Sequence, residues 1–196
     1  MKVGLAHVQF ETIHPFLDGN GRLGRLLITL LLCAEGALRQ PFLYLSLYFK
    51  QHRDVYYDRL QQVRVAGDWE GWLDFYLTGV EQTAQQATRT TGDLLAVFAR
   101  DRDQVLGLGR SAGSTMRVFE FLRQRVILSI PRTAAALGLS VPTVTAALNR
   151  LVDLDIARER TGRLYARQYV YQRQLEILDR TDVTPPVVPT PRSAFE

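Results

Sequence analysis

Four residues able to handle protons, metal ions and phosphate fall in one short stretch: His14, Asp18, Arg22 and Arg25, interleaved with Pro15, Phe16, Gly19, Asn20 and Gly21. The imidazole, with an ordinary pKa of about 6.5, is a candidate base. Asp18 offers the oxygen that a magnesium ion bridging phosphates would take as a ligand. Gly19, Asn20 and Gly21 let consecutive backbone N–H groups point at one spot, ahead of a helix whose N-terminus attracts anions. Arg22 and Arg25 then sit one turn apart at the start of that helix. Cations in a first turn are unfavourable by about 0.3–1 kcal/mol each. An anion is therefore expected to offset them.

Two other motif readings fail on the residues. In a calcium loop with Asp18, Asn20 and Gly21 as third, fifth and sixth positions, the first and twelfth would be Phe16 and Leu27, neither able to bind calcium. No Gly-Lys-Ser/Thr occurs, so this is not a P-loop. A plain structural turn remains compatible with the composition alone.

The surrounding pattern predicts the elements that must position these residues. Pro15 blocks helix at His14, and residues 14–21 read as a loop. From Arg22, Leu23, Leu26, Leu27, Leu30 and Leu31 recur at helical spacing up to Gly36, predicting a central, very apolar helix in which Cys33 is a small buried residue. Leu43 to Arg64 reads as one or two amphipathic helices. A further helix begins near Trp69, and after a polar stretch from Gln82 to Thr91 a short apolar helix covers Leu94 to Phe98. With no strand alternation before residue 111, the first unit reads as all α.

Gly107 to Ser114 reads as a linker from its glycine and serine content. Beyond it, Val118, Phe119, Leu122 and Val126 mark one helix. Ser129 and Pro131 start another that ends at Gly138, and Ser140 caps a third running to about Leu154. Two helices joined by Gly138-Leu139-Ser140 fit a helix-turn-helix. Ile156 to Arg160 and Arg163 to Tyr171, around Thr161-Gly162, read as a two-stranded wing. The prolines from Pro185 to Pro191 predict an extended, disordered tail. The organisation expected is thus mainly α: a helical unit over 1–106, a linker over 107–114, a winged helix-turn-helix over 115–182 and a tail over 183–196.

Composition excludes several classes. With 46% hydrophobic and 22% charged residues in a chain of 196, the protein has the make-up of an ordinary globular chain. No stretch approaches the roughly 20 apolar residues of a membrane helix, and no signal-peptide core is visible, so a cytoplasmic protein without membrane contact is expected. One cysteine cannot form an internal disulfide or a thiolate metal site. Residues 1–111 are charge-balanced, whereas residues 112–182 carry 11 Lys/Arg against 7 Asp/Glu, placing the basic excess in the second unit.

The run from His14 to Arg25 resembles the Fic (Fic/Doc) signature H-P-F-x-D-G-N-G-R-x-x-R at every specified position. Leu43-Tyr44-Leu45-Ser46, Arg53-Asp54-Val55-Tyr56-Tyr57 and Gly67-Asp68-Trp69 resemble the subgroup of that family that carries a C-terminal winged helix. The resemblance implies transfer of AMP from ATP to a Ser, Thr or Tyr hydroxyl of a target protein. It implies His14 as the base, Asp18 as the magnesium ligand, and Gly19, Asn20, Gly21, Arg22 and Arg25 as contacts to the ATP phosphates. Phe16 would anchor the loop in the core.

For the C-terminal module two partners stay open. Thr143, Asn149 and Arg150 on its second helix face base edges in a duplex DNA reading, and Arg158, Arg160, Arg163 and Arg167 on the ribbon face phosphates. A protein-docking or dimerisation module with a solvated basic face is the rival, and a DNA-binding regulator with an inactive Fic remnant is the alternative for the whole chain. Because the family places helices and a target-positioning β-hairpin before its motif, and 13 residues precede His14, an N-terminally truncated core is expected. Such a core would show impaired transfer, exposed apolar surface on the Leu23–Leu32 helix and a tendency to self-associate.

Overall fold

The computed structural model describes residues 1–39, 44–162 and 167–180. The expected tail, Leu43 and Arg163 lie outside them. Among the described residues there are nine α-helices and one small antiparallel sheet, in the mainly α class expected. The chain divides into two compact units, Met1–Arg89 and Thr90–Thr184. The boundary falls inside a helix, and the Gly107–Ser114 stretch lies within the second unit.

In the first unit, α1 (Lys2–Ile13) and α2 (Asn20–Ala34) pack closely, with α3 (Leu45–Gln51), α4 (Arg53–Ala66) and the start of α5 (Trp69–Leu106) completing the core. The core is unusually aromatic: Tyr48, Phe49, Tyr56, Trp72, Phe75 and Tyr76 are all buried. Glycines set how near the helices come. A methyl on Gly4 of α1 would lie 2.8 Å from the Tyr76 ring, and Trp72 Nε1 donates to the Gly4 carbonyl at 3.0 Å. Larger residues at that position would push α1 off α5.

Several expectations need correction here. A helix, α1, forms where the sequence pattern shows only a short lead-in, because its apolar residues are sparse and its buried face includes His7 and Glu11. Helix α2 begins at Asn20, two residues earlier than expected. It is not central: Ile28 is buried, but Leu23, Leu26 and Leu30 are 40%, 53% and 56% exposed, and Cys33 is half-buried. One face of α2 packs on α1 and Leu31 and Leu32 pack against the core, while Leu23, Leu26 and Leu30 face outward.

The polar stretch 82–91 does not break the chain either, and α5 runs for 38 residues. Its polar side chains satisfy themselves along the helix. Thr83 and Thr88 donate to the carbonyls of Gly79 and Ala84 one turn back, and Gln85 donates to Glu81. The expected linker is instead a 3-10 turn, Gly109–Ser111, running into α6 (Ala112–Arg125).

The second unit continues with β1 (Ile127–Ser129), α7 (Ile130–Leu137), α8 (Val141–Asp153), β2 (Ala157–Glu159), β3 (Gln168–Tyr171) and α9 (Gln172–Arg180). The sheet order is β1-β3-β2, antiparallel throughout, with Leu128 opposite Tyr169 and Arg158 opposite Val170. β1 is three residues long, too short to show alternation in the sequence. Helix α8 buries Val144, Ala147, Leu148 and Leu151, and Val152 is 39% exposed. Ser140 caps it as expected, accepting from Thr143 N at 3.3 Å.

A buried charge ties this unit together. Asp101 of α5 is fully buried and accepts from Tyr171 Oη at 2.7 Å and Arg173 Nη1 at 2.6 Å, while Arg173 Nη2 reaches Asp155 at 3.0 Å. Burial and the bonded Asp101 carboxylate push the Tyr171 phenol well above its usual range, so it stays a donor. Removing the charge leaves Arg173 with only the exposed Asp155 carboxylate and weakens both bonds to residue 101. Asp101→Asn is expected to lower unfolding stability of the second unit by about 3 kcal/mol, measurable by denaturant unfolding. A loss below about 0.5 kcal/mol would show that the network contributes little.

Candidate active site

The loop between α1 and α2 is built by its own side chains. α1 ends as His14 turns left-handed (φ 49°, ψ 57°), its N–H still bonded to the Phe10 carbonyl at 3.0 Å. That conformation is uncommon for a residue with a β-carbon and leaves the imidazole exposed beyond the helix end. Asn20, 2% exposed, clamps the loop from beneath: its Oδ1 accepts from Phe16 N at 3.0 Å and its Nδ2 donates to the Phe16 carbonyl. Phe16 itself is 50% exposed and touches only the rim of the core through Phe10, 6.4 Å between ring centres. The anchor is therefore the asparagine, not the phenylalanine, because a buried amide satisfies both backbone groups of Phe16 at once.

Gly19 starts α2 with φ 83°, a conformation in which L side chains are strained. Its carbonyl accepts from Arg22 N and Leu23 N at 3.1 and 3.0 Å. Among the described residues, the N–H groups of Asn20 and Gly21 find no protein acceptor. Two open donors at the positive end of a helix are groups that an anion could satisfy.

Around these donors the sequence-derived candidates fall as follows. Asp18, its side chain 94% exposed, accepts from Gly19 N at 2.7 Å and pairs with Arg22 Nη2 at 3.5 Å. Arg22 is 77% exposed, so this pair contributes little to stability. Arg25 is half-buried and folds back over the helix start: a methyl on Gly21 would lie 3.3 Å from its Nη1. His14, Asp18, Gly19, Asn20, Gly21, Arg22 and Arg25 thus gather around the head of α2. The clefts of about 520 Å³ (Leu106, Met116, Phe121, Leu137) and 590 Å³ (Leu5, Trp69, Leu73) involve no motif residue.

Sequence reasoning passed over the layer beneath. His7 is fully buried between the Phe49 and Trp72 rings, stacked at 5.9 and 5.8 Å. Its Nδ1 lies 3.0 Å from the Gly24 carbonyl and its Nε2 2.9 Å from Tyr56 Oη. A methyl on Gly24 would collide with Glu11 Oε1 and crowd His7 and Phe10, so only glycine lets α1 and α2 approach this closely. Glu11 is 7% exposed, with Oε1 buried and unpartnered, and burial pushes its carboxyl above the usual range. The available signal was spacing: Val3, His7, Glu11 and His14 share one helical face once α1 is recognised.

On the second unit, the candidates for nucleic-acid contact divide. The Thr143 hydroxyl is engaged with Ser140 Oγ at 2.8 Å, and Thr145 donates to the Val141 carbonyl. Asn149 is exposed and Arg150 half-buried on α8. Arg158, Arg160 and Arg167 are exposed on the ribbon. Glu159 sits among them, its carboxylate taken up by the Thr161 hydroxyl and the Thr161 and Gly162 N–H groups, which hold it below its usual range.

Comparison with known proteins finds likenesses that include this segment. Residues 1–32 match the Fic/DOC family. The match spans α1, the whole loop and most of α2, so the Fic segment includes His7 and Glu11 as well as the motif. Among curated proteins, the chain is 33% identical over 122 residues to the protein adenylyltransferase Fic of Culex quinquefasciatus, covering 57% of this chain and 23% of that protein. It is 39% identical over 90 residues to the Aedes aegypti protein of the same name, and 37% over 90 residues to that of Drosophila yakuba, each covering 46% of this chain and 17% of the relative. The chain spans under a quarter of the length of these relatives. No single helix among the described residues is long and apolar enough to cross a membrane.

Burial makes the Fic segment sensitive to acid. His7 is held neutral, its pKa lowered to about 4, chiefly by desolvation. Because this lies below the unfolded value of about 6.5, the unfolded chain binds more protons between the two. The contribution of His7 is complete above about pH 6.5 and is lost as pH falls to about 4, on the order of 3 kcal/mol in all. The His7 Cε1–H resonance should stay unshifted down to about pH 5. A titration midpoint near the free-histidine value would show that the ring is not held neutral.

Proposed function

We propose that the Fic segment supports nucleotidyl transfer, moving AMP from ATP to a hydroxyl of a Ser, Thr or Tyr side chain on a protein target. The observation that carries this reading is the pairing of open N–H donors and two arginines at the head of α2 with an exposed imidazole at the end of α1. The names of the relatives, protein adenylyltransferase, support it.

In this reading the triphosphate lies across Asn20 N–H, Gly21 N–H, Arg22 and Arg25. Charge that grows on the phosphate oxygens during transfer meets fixed donors already in place. His14 accepts the proton of the attacking hydroxyl as its oxygen bonds the α-phosphorus. The bond from that phosphorus to the bridging oxygen breaks, and pyrophosphate leaves. Asp18, exposed beside the donors, is the carboxylate that would hold magnesium there, where the ion neutralises phosphate charge.

Replacing His14 by Ala should abolish transfer from α-labelled ATP, by at least about 10²-fold, while magnesium-ATP still binds. Transfer at the wild-type rate would remove His14 from the mechanism. Arg22→Ala should instead weaken ATP binding, since it deletes a charge-assisted contact.

A second reading concerns residues 112–182. The element order α6-β1-α7-α8-β2-β3 supports a winged helix-turn-helix, and the exposed ribbon arginines support contact with duplex DNA phosphates. With both α8 threonine hydroxyls bonded locally, binding is expected to be weakly sequence-dependent. Arg158→Ala with Arg160→Ala should reduce the salt slope of duplex binding by about two units. An absence of binding at low ionic strength favours docking to protein instead.

A further inference from the structure

Three helices meet on one buried histidine. His7 of α1 lies between the Gly24 carbonyl of α2, 3.0 Å from its Nδ1, and the Tyr56 hydroxyl of α4, 2.9 Å from its Nε2. A carbonyl oxygen only accepts, so Nδ1 carries the proton and donates to Gly24. Neither partner is an anion, and an imidazolium in this fully buried place would lack a bonded counter-charge. The ring is therefore neutral, in keeping with the lowering of its pKa by burial. Its Nε2 is then an acceptor, and the Tyr56 hydroxyl must donate to it. Each bond in the line from Tyr56 through His7 to Gly24 has one allowed direction.

This line crosses the helix pair that frames the loop. Gly24 stands one turn into α2 from Asn20, and His7 stands two turns before His14 at the end of α1. Apolar contact between two helices is non-directional and tolerates sliding along their axes, whereas a buried hydrogen bond fails once its partners move apart. The missing β-carbon at Gly24 brings its carbonyl within reach, since a methyl there would come 3.1 Å from His7 Cε1 and 3.2 Å from Phe10 Cδ1. At the far end of the pair, Lys2 Nζ meets Glu35 Oε1 at 2.6 Å, but this contact is exposed and restrains the helices little. Tyr56 is fixed in turn, 2% exposed with its ring stacked on Phe49 at 4.8 Å.

We propose that His7 and Tyr56 are positioning residues: Tyr56 bonds the acceptor side of the His7 ring, and the His7 Nδ1–H, bonded to the Gly24 carbonyl, sets the axial register in which α1 presents His14 to the open donors of α2. The catalytic consequence rests on the reading that His14 and those donors carry AMP transfer. In that reading Asn20, Gly21, Arg22 and Arg25, the contacts to the phosphates, all belong to α2 and move with it. A slip of α1 therefore displaces the base and leaves ATP binding in place. The loss falls on the transfer step, where a small error in the placement of a reacting group is costly.

Long-range nitrogen–proton NMR correlations of the intact protein at neutral pH are expected to show His7 as the Nδ1–H tautomer, and the Nε2–H tautomer overturns the proposal. His7→Asn keeps an N–H donor near the Nδ1 position, whereas His7→Leu keeps apolar bulk and no donor. Transfer is measured from α-labelled ATP to a mixture of N-acetyl serine, threonine and tyrosine amides. In His7→Leu kcat is expected to fall by about 10²-fold, and distinctly less in His7→Asn, with the magnesium-ATP Kd within about 2-fold of wild type in both. A role in packing alone predicts the reverse order, because leucine fills an aromatic pocket better than asparagine, and that order overturns the proposal. Tyr56→Phe should lower kcat by roughly 3- to 10-fold at unchanged Kd, and no fall removes Tyr56 from the device. The Asn20 and Gly21 amide resonances read the same register without transfer: displaced in His7→Leu and Tyr56→Phe, nearer wild type in His7→Asn. A displacement as large in His7→Asn as in His7→Leu overturns the positioning role. Wild-type protein that transfers nothing thus counts against the nucleotide reading alone. Should His7→Leu not fold, the wild-type tautomer and Tyr56→Phe decide.

Discussion

The close approach of α1 and α2 at Gly24 governs the geometry of the Fic segment. A hydrogen bond from His7 to the Gly24 carbonyl, buried between aromatic rings, joins the two helices where a side chain on residue 24 would not fit. The five residues from His14 to Asp18 and the capping Gly19 span the remaining gap. Their path is short enough that both its ends are determined by how the helices pack, and Asn20 closes the loop on Phe16. An imidazole at the end of one helix and donors at the start of the next are thereby held on a common rigid support, which is what a site for group transfer requires.

The two units treat charge in opposite ways. In the second, Asp101 is buried with Tyr171 and Arg173 bonded to it, so this buried carboxylate has partners and the network serves packing. In the first, two arginines stand at the positive end of α2, two N–H groups there have no acceptor, and the buried Glu11 oxygen has none either. Such imbalance opposes folding. Under the proposed function, a polyanion would supply what the donors at the head of α2 lack.

Much of the site was legible because its residues are close in sequence. The run from His14 to Arg25 states its chemistry through local rules: glycine where φ is positive, proline where helix must stop, arginines one turn apart. The bounds of the two short helices α7 and α8 were equally plain, since Pro131, Gly138 and Ser140 act on their own neighbours. Less visible were α1, whose buried face mixes His7 and Glu11 with two valines and so shows little hydrophobic period, and the continuity of α5 through its threonines and glutamines. In both cases polar side chains occupy helical positions and find their partners either deep in the core or one turn away along the helix. Hydropathy pattern cannot register either arrangement.

By itself the sequence determined the mainly α class, the loop at the head of α2 with its donors and arginines, and the basic excess of residues 112–182, because each follows from residue type and short-range spacing. Tertiary structure alone decided which residues lie behind those arginines. His7, Glu11 and Tyr56 come from two different helices, Tyr56 standing 49 positions from His7 in the chain. Their roles depend on hydrogen-bond direction and burial, which exist only once α1, α2 and α4 have packed against one another. The outward turn of Leu23, Leu26 and Leu30 is of the same kind: the apolar stripe is written in the sequence, but which part of it meets another helix is settled by packing.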